Sequence, residues 1–266
     1  MRLGENEHMS VVASRPERNF TPVSRPVHIL CVDDYHLGDP LFGRSLARTL
    51  AEAAKGSLRV IIVHGGGEDA ERALEGRGRT AIRERGVLVV EDLADRQLVE
   101  RAIRETNKKL TAVLTEFEVP AVGIQGSDRG LLKFVADGSV APGRFTWVRA
   151  LVDTGSVPVI SSLAMTPDGA GEVDVGYCVA LVARQFAGDE CAVIAFARSG
   201  RPGVFEADAH LPSIPVEELE KHVREAQTDG LTTLVNDGYE VRLTSVRYAI
   251  SSDLACFTRV LHDNPA

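Results

Sequence analysis

The sequence predicts an α/β fold, a three-layer αβα sandwich around a mainly parallel central sheet. Short apolar or β-branched runs alternate along the chain with segments whose apolar residues recur at helical spacing. The strand-like run at 59–63 leads, after His64, into three consecutive glycines, and a helical pattern begins at Glu68. A strand, a glycine loop and a helix in this order bring bare backbone close to a small anion. The alternative is a tight turn that binds no ligand.

The first βαβ unit covers residues 27–63. A strand at 27–32 precedes Asp39, a good helix N-cap, and Pro40, a good first helical residue. The helix ends at Gly56, and the next strand completes a right-handed crossover. The other predicted elements are a helix from 68, a mobile surface loop at 76–86, a short strand at 87–90, a helix over 98–117, strands at 119–124 and 157–160, a hairpin at 131–138, helices at 145–154 and 175–186, a strand at 191–197, an amphipathic helix at 216–226 and a strand at 239–246.

Composition limits the function classes. The chain has 266 residues, of which 44% are hydrophobic, enough for one large domain or two lobes. A net charge of −8 argues against a general nucleic-acid binder. No apolar run approaches the roughly 20 residues of a membrane span, and no signal peptide is visible. Four scattered cysteines, Cys31, Cys178, Cys191 and Cys256, indicate buried thiols in a reducing cytoplasm rather than disulfides or a metal site.

Two regions differ in composition. Residues 1–25 mix Arg, Glu, Asn and Pro and predict a flexible tail or an arm that packs on a neighbouring subunit. Residues 26–266 carry the alternating pattern and predict a single domain.

Three polar residues follow the first strand: Asp33, Asp34 and His36. In a parallel sheet, ligands bind at the carboxyl ends of the strands, so these residues are catalytic candidates. Two aspartates and a histidine can bind a divalent metal, or act as a base with an orienting acid. The alternative is an exposed polar loop in which Asp39 caps the next helix.

Four segments, in order, resemble the amino acid kinase family, and acetylglutamate kinases in particular. They are VIIVHGGG at 60–67, the stretch from Ala94-Asp95 through Leu110, AVGIQGSD at 121–128, and VPVISS at 157–162 with a turn and a long helix after it. The resemblance covers about residues 27–190. It implies an αβα sandwich whose substrate lobe is 26–185 and whose nucleotide lobe is 186–266. It also implies phosphoryl transfer from ATP, with Mg²⁺, to a carboxylate, and a homodimer or larger homo-oligomer.

The resemblance also assigns roles to residues. Gly65, Gly66 and Gly67 would hold the carboxylate or the transferring phosphoryl group. His64 belongs to the same motif, either as a catalytic residue or as support for the loop geometry. Ser161 and Ser162 would lie near the substrate at the carboxyl end of a strand. Asp174 is a further candidate for the substrate, and Arg198, a cation that follows a strand, is the candidate for the nucleotide.

The sequence departs from the family pattern where phosphate is handled. The first strand runs into Asp33 and Asp34, where the family has a phosphate-binding lysine, and a negative pair repels a triphosphate. The glycine-rich turn expected to carry a second lysine falls on 228–234, which contains none. The arginine that grips the substrate's other carboxylate falls on Leu88. The nucleotide lobe is therefore predicted to be degenerate, and ATP and Mg²⁺ are implied by the family alone.

Three functions remain open at this point. The first is a kinase-like protein with a degraded phosphoryl-transfer site that binds a small carboxylate, of the N-acyl amino acid type, at the glycine loop. The second is an active ATP-dependent kinase with a rebuilt site. The third is an enzyme of a different reaction type that uses Asp33, Asp34 and His36.

Overall fold

The computed structural model describes residues 26–54, 59–90 and 92–262. The predicted tail or arm at 1–25 and the predicted helix end at Gly56 lie outside these residues.

The strands and helices alternate as the sequence predicts. The strands are β1 Val27–Val32, β2 Val60–His64, β3 Arg83–Glu84, β4 Val87–Leu88, β5 Ala121–Gln125, β6 Leu132–Phe134, β7 Val140–Pro142, β8 Val157–Ser161, β9 Leu163–Thr166, β10 Gly169–Glu172, β11 Cys191–Phe196, β12 Val204–Glu206, β13 Ala209–Leu211, β14 Ser213–Pro215, β15 Glu240–Thr244 and β16 Thr258–Leu261. The helices are α1 Asp34–Gly38, α2 Pro40–Ala54, α3 Glu68–Glu75, α4 Leu93–Glu116, α5 Thr146–Asp153, α6 Val175–Arg184 and α7 Glu225–Asn236, with 3₁₀ turns at Asp128–Gly130, Val216–Lys221, Val246–Tyr248 and Leu254–Cys256.

An eight-stranded sheet forms the centre, in the order β14-β16-β15-β11-β1-β2-β8-β5. Every neighbouring pair is parallel except β15 and β16. The strands predicted at 27–32, 59–63, 119–124, 157–161 and 191–197 all lie in this sheet, so the predicted fold class is confirmed. The register pairs Val32 with His64, so the segments after β1 and β2 leave the sheet side by side.

Helices cover both faces of the sheet. Leu30 and Val32 of β1 belong to the core formed with α2 and α4, whereas Ile29 and Cys31 belong to the core formed with α5, α6 and α7. This division follows from the alternation of side chains along a strand. A third, smaller core joins α3, α4, β4, β9 and β10. It anchors the β3–β4 hairpin and the β9–β10 hairpin beside the loop that follows β2.

Three segments differ from the sequence-based predictions. Residues 34–38 form the short helix α1 rather than an exposed polar loop. The segment 76–86, predicted as a surface loop, includes strand β3. The amphipathic helix predicted at 216–226 is a 3₁₀ turn at Val216–Lys221, and α7 begins at Glu225. Apolar residues three apart also share one face of a 3₁₀ turn, so their spacing did not separate the two.

Helices α6 and α7 touch backbone to backbone. A Cβ on Gly230 of α7 would overlap the backbone of Gly176 and Tyr177 in α6, and a Cβ on Gly176 would lie 2.6 Å from the Gln227 carbonyl oxygen. The segment 228–234, which the resemblance places in a glycine-rich turn, therefore lies inside a helix. Its glycine serves helix packing.

This contact predicts the effect of Gly230→Ala. The added methyl group meets backbone, which cannot turn aside as a side chain can, so the variant should lose about 2–3 kcal/mol or more in free energy of unfolding. Chemical denaturation measures the change. The matched control is Gly188→Ala, because a Cβ at that exposed position meets nothing within 4 Å. The control should stay within about 0.5 kcal/mol of the parent protein, and equal losses in both variants would contradict the packing argument.

Candidate functional site

The glycine loop Gly65–Gly67 follows β2 at the carboxyl end of the central sheet. The Gly65 N–H donates to the Val32 carbonyl oxygen at 3.1 Å. The Gly67 N–H donates to Oδ1 of Asp34, the first residue of α1, at 2.6 Å. A carboxylate of this chain therefore occupies a backbone donor of the loop.

Each position of the loop requires glycine, either for its backbone angle or because a carboxylate leaves no room for a Cβ. Gly67 has φ of 71°, in the left-handed region that favours glycine. A Cβ on Gly65 would lie 2.5 Å from Asp34 Oδ1, and a Cβ on Gly66 would lie 2.7 Å from Glu172 Oε1. Two carboxylates thus lie directly against the bare backbone.

One arginine holds these carboxylates. The Arg83 guanidinium lies 3.2 Å from Asp34 Oδ2, 2.6 Å from Glu71 Oε1 and 3.0 Å from Glu172 Oε1. We call Arg83 and these three acids the Arg83 cluster. The Leu88 N–H donates to the other oxygen of Glu172 at 2.8 Å. Arg83 and Leu88 are cross-strand partners in the β3–β4 hairpin, so one hairpin supplies both groups that bind Glu172.

Two acids of the cluster, Asp34 and Glu172, keep a net cost of burial that their partners do not offset. Burial raises the pKa of Asp34, although Arg83 and the Gly67 N–H act in the opposite direction. Burial also raises the pKa of Glu172, against the effects of Arg83 and the Leu88 N–H. One guanidinium shared among three acids does not offset the cost of removing Asp34 and Glu172 from water.

His64 is fully buried, and its ring nitrogens connect the glycine loop to α4. Its Nδ1 lies 2.8 Å from the Gly65 carbonyl oxygen, and its Nε2 lies 2.9 Å from the amide nitrogen of Asn107. Since Asn107 Nδ2 is a donor, Nε2 is the accepting nitrogen and Nδ1 carries the proton. Burial lowers the pKa of His64 to about 4, so the ring is neutral near pH 7. This arrangement supports loop geometry, the alternative to a catalytic role.

Ser161, the last residue of β8, and Ser162, which follows it, lie beside the loop and are buried. Ser161 Oγ donates to Gln125 Oε1 at 2.8 Å. The Ser162 N–H donates to the His64 carbonyl oxygen at 2.9 Å, and Ser162 Oγ has no hydrogen-bond partner among the described residues. Ser162 therefore offers a hydroxyl near the loop, whereas the Ser161 hydroxyl is already bonded.

Asp33, Asp34 and His36 do not form one constellation. Asp33 Oδ1 accepts from the His36 N–H at 2.9 Å and contacts His36 Nδ1 at 2.6 Å, so it caps α1 and orients the ring. The ring of His36 packs against Phe42 and Phe196. Asp34 points instead to the glycine loop. A base with an orienting acid is thus limited to the Asp33–His36 pair.

Asp174 caps α6, accepting from the Tyr177 N–H at 2.6 Å. Burial raises the pKa of Asp174 to about 7; the Tyr177 N–H opposes this, and repulsion from Asp229, Asp34 and Glu172 adds to it. Asp174 therefore lies within the electrostatic field of the Arg83 cluster.

Arg198 lies on a separate wall, after β11, and is exposed. It lines a cavity of about 730 Å³ together with Asp174, Tyr177 and Asp229. The structure thus brings Asp174 and Arg198 to one cavity. Asp34 and the glycine loop lie near this cavity but do not line it.

Sequence reasoning missed Arg83, Glu71 and Glu172. A signal for Arg83 existed, since Arg85-Gly86 between Arg-Glu and Val-Leu is typical of a two-residue hairpin turn. Both turn residues have positive φ, 49° and 81°. Glu172 carried no such signal, because its role depends on residues far away in sequence.

The described part of the chain contains neither a metal-binding cluster nor a membrane-spanning helix. No three His, Cys, Asp or Glu side chains there are placed to hold a metal ion. No helix in the same residues is long and apolar enough to cross a membrane.

Comparison with known proteins gives consistent matches. The model of the amino acid kinase family matches residues 38–246. Acetylglutamate kinase from Roseiflexus sp. (strain RS-1) is 28% identical over 219 residues, which cover 77% of this chain and 80% of that protein.

Solved structures show the same fold. N-acetylglutamate synthase from Neisseria gonorrhoeae, complexed with coenzyme A and N-acetyl-glutamate, matches with a TM-score of 0.64 at 18% identity. The match covers 90% of this chain and 60% of the synthase, so this chain spans only part of that protein. Carbamate kinase from Giardia matches with a TM-score of 0.57 at 12% identity, over 90% and 99% of the two chains. At these identities the likeness concerns the fold alone.

The contact of Asp34 with the loop predicts an interaction between two substitutions. Gly65→Ala should lose about 1–3 kcal/mol in free energy of unfolding, because its methyl group displaces the Asp34 carboxylate from the Gly67 N–H. In an Asp34→Ala background that carboxylate is absent, so adding Gly65→Ala should cost much less. A double-mutant cycle by chemical denaturation measures the coupling, expected at about 0.5–3 kcal/mol. Additive losses would contradict the contact.

The raised pKa of Asp174 predicts a pH-dependent effect of Asp174→Asn. The folded-state pKa is about 7 against an ordinary 3.8, so the folded state binds the proton more tightly than the unfolded state. That stabilisation is complete below about pH 4 and is lost as the pH rises to about 7. Asparagine still caps the helix and carries no charge. The variant should therefore melt at least ~2 °C above the parent at pH 8, where 1 kcal/mol corresponds to about 2–4 °C.

The same comparison at pH 4–5 is the control, since there the difference in melting temperature should shrink or reverse. A constant difference in melting temperature between the two proteins from pH 4 to pH 8 would show that Asp174 keeps an ordinary pKa.

Proposed function

This chain belongs to the amino acid kinase family, and we propose that it binds a small carboxylate at the glycine loop without transferring a phosphoryl group to it. The observation that carries the proposal is the 2.6 Å hydrogen bond from the Gly67 N–H to the Asp34 carboxylate. A donor that binds a carboxylate of the chain can bind a carboxylate of a ligand. The Leu88 N–H and the Arg83 guanidinium, both bonded to Glu172, extend the same chemistry.

The charges around the loop support the absence of phosphoryl transfer. Such transfer depends on positioning and on neutralising charge on the phosphoryl oxygens. Arg83 already contacts three carboxylates, and no lysine of the described residues forms an ion pair with Asp34 or Glu172. Asp33 and Asp34 stand where β1 ends, and both repel phosphate. ATP with Mg²⁺ therefore does not fit the residues present.

A ligand enters the loop by exchange with Asp34. Its carboxylate takes the Gly67 N–H, and the Asp34 side chain leaves the loop or accepts a proton. The raised pKa of Asp34 favours the second route, because a neutral carboxyl group does not repel the incoming anion. The unpartnered Ser162 hydroxyl is available as an additional donor.

The ligand class follows from the relatives. The protein from Roseiflexus is an acetylglutamate kinase, and the synthase from Neisseria was crystallised with N-acetyl-glutamate. An N-acyl amino acid is therefore the first ligand to test here. The family resemblance likewise favours a homodimer in the cytoplasm.

The proposal predicts opposite behaviour of two variants at one position. Asp34→Ala leaves the Gly67 N–H without its acceptor. The variant should bind N-acetyl-L-glutamate about tenfold more tightly than the parent, which corresponds to about 1.4 kcal/mol in binding free energy. Asp34→Asn removes the charge but keeps an oxygen against the donor, so its gain should be smaller. Isothermal titration calorimetry near neutral pH compares the three proteins.

Two results would overturn parts of this proposal. Absence of binding in all three proteins would reject a carboxylate at the loop. ATP-dependent hydroxamate formation from N-acetyl-L-glutamate would show an active kinase with a rebuilt site.

A further inference from the structure

A cavity of about 730 Å³ opens beside the Arg83 cluster but does not include the glycine loop. Asp174 and Tyr177 line it from the start of α6, and Asp229 lines it from α7. Arg198, after β11, and Arg85, at the tip of the β3–β4 hairpin, line it on other sides, and Glu220 and Lys221 also contribute. This volume suits a small organic molecule, since ligand pockets commonly measure about 300–1,000 Å³.

The cavity carries charges of both signs that are unpaired. Within the described chain, neither Arg85 nor Arg198 forms an ion pair or a side-chain hydrogen bond. Asp174 accepts only the Tyr177 N–H, and the groups that act on it electrostatically are other acids, with Asp229 first among them. Two acids that repel each other thus share one cavity with two free guanidinium groups.

We propose that this cavity binds a free amino acid, with its ammonium group between Asp174 and Asp229 and its carboxylate at Arg198 and Arg85. A single zwitterion supplies a partner to both kinds of charge. Charge-assisted hydrogen bonds of this type are about twice as strong as neutral ones. The ammonium group also offsets the repulsion from Asp229, which adds to the effect of burial in raising the pKa of Asp174.

Other ligand classes match the charges less well. A nucleoside triphosphate, the ligand expected at Arg198 from the sequence, would bring several negative charges to Asp174 and Asp229. A metal ion would need a set of donors that the described residues do not provide. An N-acyl amino acid has lost its ammonium group and leaves both acids unpaired. The two proposed sites therefore prefer different chemical forms, N-acylated at the glycine loop and free in this cavity.

The test is a thermal-shift screen of the full chain near neutral pH, with each common free L-amino acid and its N-acetyl derivative. At least one free amino acid should raise the melting temperature, and its N-acetyl derivative should not. By calorimetry, Asp174→Asn, Asp229→Asn and Arg198→Gln should each weaken that amino acid about tenfold or more. Asp208→Asn, an exposed acid that does not line the cavity, is the matched control and should bind like the parent.

Each remaining outcome overturns the inference. These outcomes are no shift with any free amino acid, an equal shift with the N-acetyl derivative, unchanged affinity in both aspartate variants, or a shift with ATP alone. Each variant is compared with its own unliganded melting temperature, so a change in stability does not imitate a loss of binding. Asp34→Ala should leave the amino acid bound, which separates this site from the glycine loop.

Discussion

The half-buried contact of Arg83 with three carboxylates is the interaction on which the rest of the site depends. Ions removed from water are costly unless they are paired and hydrogen-bonded. The pairing therefore fixes the elements that carry its members: the β3–β4 hairpin with Arg83, the start of α1 with Asp34, and the end of β10 with Glu172. Because these elements lie up to 89 residues apart, the cation determines how closely they approach the loop after β2.

The glycines follow from that arrangement. Asp34 and Glu172 leave no room for a Cβ on Gly65 or Gly66, and Gly67 needs its left-handed backbone. A loop that binds the phosphate of a ligand would require glycine for the same reason, which is an anion against bare backbone. The sequence pattern therefore identifies a physical requirement. It does not identify whether the anion belongs to a ligand or to the chain.

The fold was predictable because buried β-branched runs carry their own signal, and the strand before the glycine loop is an example. The site was predictable in part. The carboxyl ends of neighbouring parallel strands lie at one edge of the sheet. The sequence alone therefore predicted that Asp34 and the glycine loop lie close together. Arg83 was not predictable as the central cation, since its partners are distant in sequence and its segment has little apolar content. The family resemblance predicted a turn around Gly230, whereas the role of this glycine is close packing between two helices.

The position of Arg83 also qualifies the departures from the family pattern. The resemblance places a substrate-binding arginine at Leu88, and the structure places Arg83 directly across the hairpin from that residue. A guanidinium reaches several ångströms from its backbone, so a cation can be supplied from either strand of one hairpin. Comparing the single position Leu88 with the family's arginine therefore underestimates the positive charge of the site. This argument applies to the arginine and not to the lysines, since no lysine of the described chain pairs with Asp34 or Glu172.

The two proposed sites are electrically connected through Asp174, which is repelled by Asp34 and Glu172 as well as by Asp229. A positive group beside Asp174 would stabilise the ionised forms of all these acids, and ionised Asp34 holds the Gly67 N–H more strongly. Occupation of the cavity by an ammonium group would then oppose entry of a carboxylate at the glycine loop. By linkage, a carboxylate at the loop would weaken the cavity ligand by the same factor. The electrostatic interaction among these acids thus predicts that each ligand weakens binding of the other, without any change of fold.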